Sequence, residues 1–337
     1  MRRCWTVLVC AVVVLLAGQG TAAAAPVAGG YADLDQRGPA LAVPAAQLAA
    51  SLHCNGPVTK GGRAPVLLLP GTTMDPAVGF AWNYERAFDR LGWRWCAVTL
   101  PDDATGDIQV AAEHVVSAVR TVSKQAGQRV DVVGWSQGGM IGRWALRFWP
   151  DTRAMVDDLV GLSPSNHGTT VADLACQTTC TPANWQQRSI SAFTAALNSG
   201  AETFAGVSYT VAYTRADEVV VPNAGPTASS VLRTGEGRIS NIATQDVCPA
   251  NAADHFAIGS YDPVGYAIAI DALTHDGPAV RARVPVNTCL QVFQPGVDPA
   301  TFATDYAAFV AYATDGEGDA ADVPAEPALQ PYVFARR

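Results

Sequence analysis

The chain predicts a doubly wound α/β domain, a mostly parallel sheet with helices on both faces. Two observations carry this. Short apolar runs such as Pro65-Val66-Leu67-Leu68-Leu69-Pro70 lack the apolar/polar alternation of a half-exposed strand, as expected for parallel strands buried on both faces. These runs also alternate with segments of helical period, the order that winds helices around one sheet.

Taken in order, 26–64 is rich in Ala, Pro and Gly, has a helical run at 45–52, and reads as a leading arm. Strand-like runs follow at 64–73, 93–100, 130–133, 156–163, 207–213 and 239–243. Helical spacing marks 82–91, 108–125, the amphipathic run after residue 137 that closes at Pro150, then 260–274 and 300–313. The stretch 166–206 breaks the alternation and falls on the side where active-site loops belong. The last twenty-five residues read as loop, and there is no internal repeat. At about 150 residues per domain the length would allow two domains, but the alternation describes one core over 26–337.

Residues 1–25 read as a secretory signal peptide. Arg2 and Arg3 form its charged start, 7–17 its apolar run, and Ala23-Ala24-Ala25 its cleavage site. No later stretch approaches the roughly 18 apolar residues needed to span a bilayer, so a secreted, soluble product is expected. Of the eight cysteines, Cys4 and Cys10 leave with the leader. The remaining six, in an oxidising compartment, are expected to form disulfides. Cys176 and Cys180 have no neighbouring ligand that would complete a zinc site, so they read as a local bridge. The formal charge is −8, and −10 without the leader arginines. That balance argues against nucleic-acid or anionic-membrane partners.

The chemistry-bearing segment is Gly134-Trp135-Ser136-Gln137-Gly138, set between an apolar strand and a helix. G-x-S-x-G in that context is a nucleophile elbow, with the serine hydroxyl lifted above the sheet by a strained turn. The ordinary alternative is a Gly/Ser turn. A serine needs a base, and the base an orienting acid, in the chain order Ser, acid, His. His53 and His114 precede Ser136, and His114 reads as a surface helix residue. Of His167, His255 and His275, the last fits a helix C-terminus. His255 follows a late strand, where a base belongs. Asp217 stands where the chain leaves the strand at 207–213; Glu218, Asp246 and Asp254 are rivals, Asp254 as a possible cap. The oxyanion donors are expected from Gln137 and from Gly71-Thr72 after the early strand. No metal or organic cofactor is required by this chemistry.

The stretches PVLLLPGT (65–72), GWSQGG (134–139), ADEVV (216–220) and DHFAIGS (254–260) resemble the lipase B type of secreted α/β-hydrolase. Further matches lie around Cys96, at Trp185-Gln186-Gln187 and at Pro331-Tyr332, so the likeness runs from about 40 to 333. The resemblance implies the triad Ser136, Asp217 and His255, oxyanion donors at Thr72 and Gln137, and pocket positions at Trp135 and Gln187. It implies disulfides Cys54–Cys96 and Cys248–Cys289, leaving Cys176–Cys180 as a pair. It also implies an α/β-hydrolase fold and a serine carboxylester hydrolase of the triacylglycerol lipase or esterase type. Its partners would be lipid or small ester substrates and a lipid–water interface, and it would act as a monomer. A short-chain esterase or polyester-degrading hydrolase, and a silent binding scaffold of the same fold, are the rivals. Three departures stand out. Ser165 replaces a family aspartate, the 176–180 segment has no counterpart, and the family's C-terminal disulfide is missing, so a looser tail is expected. The row Phe302, Tyr306, Phe309 shares one helix face and is read as core-packed rather than as pocket entrance.

Overall fold

The computed structural model describes residues 30–316 and 318–336. The expected leader at 1–25, with Cys4 and Cys10, lies outside the described residues.

Seven strands form one sheet in the order β1-β3-β2-β4-β5-β6-β7. They are β1 Leu52–Cys54, β2 Val66–Leu69, β3 Trp95–Val98, β4 Val130–Trp135, β5 Val156–Leu162, β6 Ser208–Tyr213 and β7 Arg238–Ala243. All pairings are parallel except β1 with β3. Strand periodicity sorts the side chains between two cores. Val66 and Leu68 face one, while Leu67 and Leu69 face the other. Helices Ile108–Ala126 and Gln137–Phe148 cover the second face; helices Tyr84–Arg90, Pro263–Thr274 and Phe302–Asp315 cover the first.

Local chemistry sets the ends of these helices. Asp107 accepts from the Gln109 amide at the start of Ile108–Ala126, and Gly127, at φ 63°, stops it. The expected helix over 260–274 starts only at Pro263, as Pro263–Thr274, and the stretch before it is a separate short helix, His255–Ser260. Asp262 caps the longer helix by accepting from the Gly265 amide, and Pro263 supplies the preset φ of a first turn. That cap ends continuity at Tyr261.

Several expectations need correction. The arm is not merely leading chain, because it contributes the edge strand β1, whose Cys54 lies opposite Cys96 and is disulfide-bonded to it. The helix after Ser136 has the expected amphipathic spacing, but its polar face is covered as well, so every residue of it is buried. His114 is buried at 7% exposure, not on the surface, and burial pushes its imidazole pKa down. The tail is held without its own disulfide. Tyr31 stacks on Phe334, the Trp144 indole donates to Tyr332, and Glu326 accepts from the amides of Ala192 and Phe193. Val323 exchanges two backbone hydrogen bonds with Cys180, beside the Cys176–Cys180 disulfide. The third disulfide joins Cys248, after β7, to Cys289. Phe309 is fully buried among Trp82, Trp135 and Phe256, so the aromatic row packs on the core.

Candidate active site

Ser136 leaves the end of β4 at φ 54°, ψ −123°. A side chain pays strain in that region, and such strain persists where the surroundings over-determine it. The surroundings here are glycines. A Cβ on Gly134 would lie 2.2 Å from the Gly138 backbone, and one on Gly138 would lie 2.1 Å from the Leu69 carbonyl oxygen. The turn can form only if both positions lack side chains. The Ser136 amide is tied to the Leu162 carbonyl at 2.9 Å.

His255 is the first residue of its short helix, where Asp254 caps by accepting from the Ala257 amide at 2.7 Å. His255 Nδ1 lies 2.9 Å from Asp217 Oδ2. The other carboxylate oxygen of Asp217 accepts from the amides of Val219 at 3.0 Å and Val220 at 2.7 Å. Burial pushes the Asp217 carboxyl up, but the His255 charge, the His255 hydrogen bond and the Val220 amide outweigh it and hold it below its usual value.

The rivals fall elsewhere. Glu218 accepts from the His255 backbone amide at 3.2 Å, and Asp246 pairs with Arg215 at 2.7 Å. His275 is bonded to the Asp271 carbonyl at its helix end, and His167 Nε2 lies 3.1 Å from Glu202. Among the three downstream histidines, His255 alone lines a cavity with Ser136.

That cavity, about 300 Å³, is also lined by Thr72, Trp135, Gln187, Val171, Ala172, Phe256 and Ala313. Gln137 opens the helix Gln137–Phe148, where the first amides have no intrahelical acceptor. The Thr72 hydroxyl accepts from Gln137 Nε2 and Gln187 Nε2. Gly71 brings this loop against the elbow: a Cβ there would come within 3.2 Å of Ser136 Cβ. A larger space of about 780 Å³, between the arm and helix Ile108–Ala126, is lined by no acid or base.

Trp135 lines the cavity as expected and also donates from its indole to the His255 carbonyl at 3.1 Å. A Cβ on Gly259 would meet that indole at 2.3 Å. Neither this tether nor the Glu218 bond was visible in the sequence. The one available signal was Gly259 within DHFAIGS.

Residues 109–246 match the family described as lipase (class 2). The chain is 33% identical over 222 residues to lipase B of Pseudozyma antarctica, a match spanning 64% of each chain. It superposes on the crystal structure of Aspergillus fumigatus lipase B with a TM-score of 0.78 at 30% identity, covering 88% of this chain and 74% of that one. The chain belongs to the lipase B-like family. The propeptide form of Bacillus licheniformis lipase BlEst2 shares the fold, with a TM-score of 0.50 at 17% identity over 68% of this chain and 54% of that one. This lipase B-like chain therefore has the α/β-hydrolase fold, with the elbow and the late His/Asp pair at the carboxyl edge of its sheet.

Proposed function

We propose that the protein is a carboxylic ester hydrolase of the lipase type, made with the 1–25 leader, exported, and acting as one domain on lipid or small esters. The observation that carries this is the buried His255–Asp217 bond at 2.9 Å, opening on the same cavity as a serine held at φ 54°.

In this reading His255 takes the Ser136 hydroxyl proton as the oxygen attacks the ester carbonyl. Asp217, held anionic, fixes the Nδ1–H tautomer and stabilises the imidazolium. The developing oxyanion is met by the amides of Thr72 and Gln137 and by the Thr72 hydroxyl. Collapse breaks the ester C–O bond, and His255 gives its proton to the departing alcohol. Water then repeats the sequence on the acyl-serine, releasing the acid and restoring Ser136. Val171 and Leu174, 39% and 77% exposed on the short helix Thr170–Ala175 at the cavity wall, are apolar groups suited to meeting a lipid surface.

A fluorophosphonate should label the protein once, and Ser136→Ala should abolish the label. Lack of labelling in the unsubstituted protein would turn the reading toward a silent binding scaffold. Faster turnover of short soluble esters than of long emulsified ones would turn it toward a short-chain esterase.

A further inference from the structure

Thr72 Oγ1 accepts two hydrogen bonds, from Gln137 Nε2 at 3.0 Å and Gln187 Nε2 at 2.8 Å. A hydroxyl has two lone pairs and one proton. With both lone pairs engaged, the proton is left for the cavity that Thr72 shares with Ser136. The hydroxyl is an oxyanion donor only while both carboxamides present N–H to it. If either were turned over, its oxygen would take the Thr72 proton.

Gln137 is locked the right way round, because Nε2 also donates to the Ala104 carbonyl at 2.7 Å. Gln187 lacks such a carbonyl. Its Oε1 instead accepts from Ser165 Oγ at 2.8 Å. Ser165 is 1% exposed, so the Oε1 end of the Gln187 carboxamide is closed to water. Among the described residues the only other partner near Ser165 Oγ is Met140 Sδ at 3.7 Å. A thioether is a weak acceptor. Turning Gln187 over would leave a buried serine proton with that sulfur alone, which disfavours the turned state.

The geometry points to Ser165 as a positioning residue for the oxyanion hole: its hydroxyl orients the Gln187 carboxamide, which leaves the Thr72 proton free for the reacting oxygen. This deepens the ester-hydrolase reading and rests on it. Because a serine hydroxyl does not titrate in the working range, the arrangement keeps this donor independent of pH. A carboxyl at the same position would not. Protonated, it donates to Gln187 as serine does; ionised, it only accepts, pulls the N–H₂ toward itself, and turns the Gln187 oxygen onto Thr72.

The test is kcat for Ser165→Asp relative to the unsubstituted enzyme on a soluble ester, across roughly pH 5–9, a range that brackets the raised pKa of a buried aspartate. The ratio should fall by about 10²-fold toward high pH with KM little changed, the scale of losing one oxyanion donor. Ser165→Ala should lower kcat by a factor that does not vary with pH. A flat Ser165→Asp ratio, near unity or uniformly low, overturns the inference, as does full kcat in Ser165→Ala. If the unsubstituted protein neither turns over esters nor takes a phosphonate on Ser136, the hydrolase reading falls and this one falls with it. A flat ratio in an active enzyme removes this inference alone.

Discussion

The two ends of the same sheet bury carboxyls to the same depth and give them opposite fates. At the carboxyl end, Asp217 is 3% exposed and is held below its usual pKa. At the amino end, Asp131 and Asp158 are 3% and 5% exposed, with Asp157 beside them. Burial pushes Asp131 up to about 7 despite its ion pair with Arg63, and burial together with Asp131 and Asp157 pushes Asp158 up to about 8. Depth is equal, so partners decide. Asp217 meets an imidazole and two amides, all donors. Asp158 faces other acids, and its Oδ1 has no hydrogen-bond partner. One end is built to keep an anion, the other to keep a proton.

Substitutions at the two ends test that contrast. The largest effect should come from His255→Ala, with kcat down roughly 10⁵-fold, while His275→Ala stays within about twofold; equal losses would move the base elsewhere. Asp217→Asn should cost about 10⁴-fold by imposing the wrong imidazole tautomer. Asp158→Asn, equally buried, should leave kcat within about twofold, and a comparable loss there would erase the distinction between the ends. Thr72→Val, which removes the hydroxyl and keeps the amide, should cost about 10²-fold in kcat.

The smallest effect is on stability, and its sign differs between the ends. Asp217 releases its proton more readily folded than unfolded, so its contribution is present above the unfolded pKa and is lost as pH falls through the folded one. Asp131 and Asp158 bind theirs more tightly folded, so their contribution is present at about pH 4 and is lost as pH rises to about 8. Asp158→Asn should therefore raise the melting temperature at about pH 8, by the equivalent of about 1 kcal/mol, and change it little at about pH 4. A variant less stable at both pH values would show that the ionised acid is a structural partner.

Much of the fold and of the candidate site was legible because the signals were local. Gly134 and Gly138 are required by backbone contacts within a few residues of Ser136, and uninterrupted apolar runs announce strands buried on both faces. What stayed hidden depends on distant partners. β1 is a strand only because β3 lies beside it. His114 is buried by packing that helical period alone does not give. The Tyr261 break required seeing Asp262 as a cap rather than as one more helical residue. The cluster of Asp131, Asp157 and Asp158 forms only when β4 and β5 lie side by side, and the Trp135 bond to His255 spans 120 positions.

That bond carries a consequence for how the protein can vary. A single indole fastens the serine's turn to the first residue of the histidine's helix. In the proposed reaction the alignment of attacking oxygen and proton acceptor rests on this short link. The segment around Cys176 and Cys180 supplies no residue of that link; it follows the helix Thr170–Ala175 in the cavity wall and is anchored to Val323 instead, so a change of length or stapling there should alter the shape of the entrance before it alters the chemistry underneath.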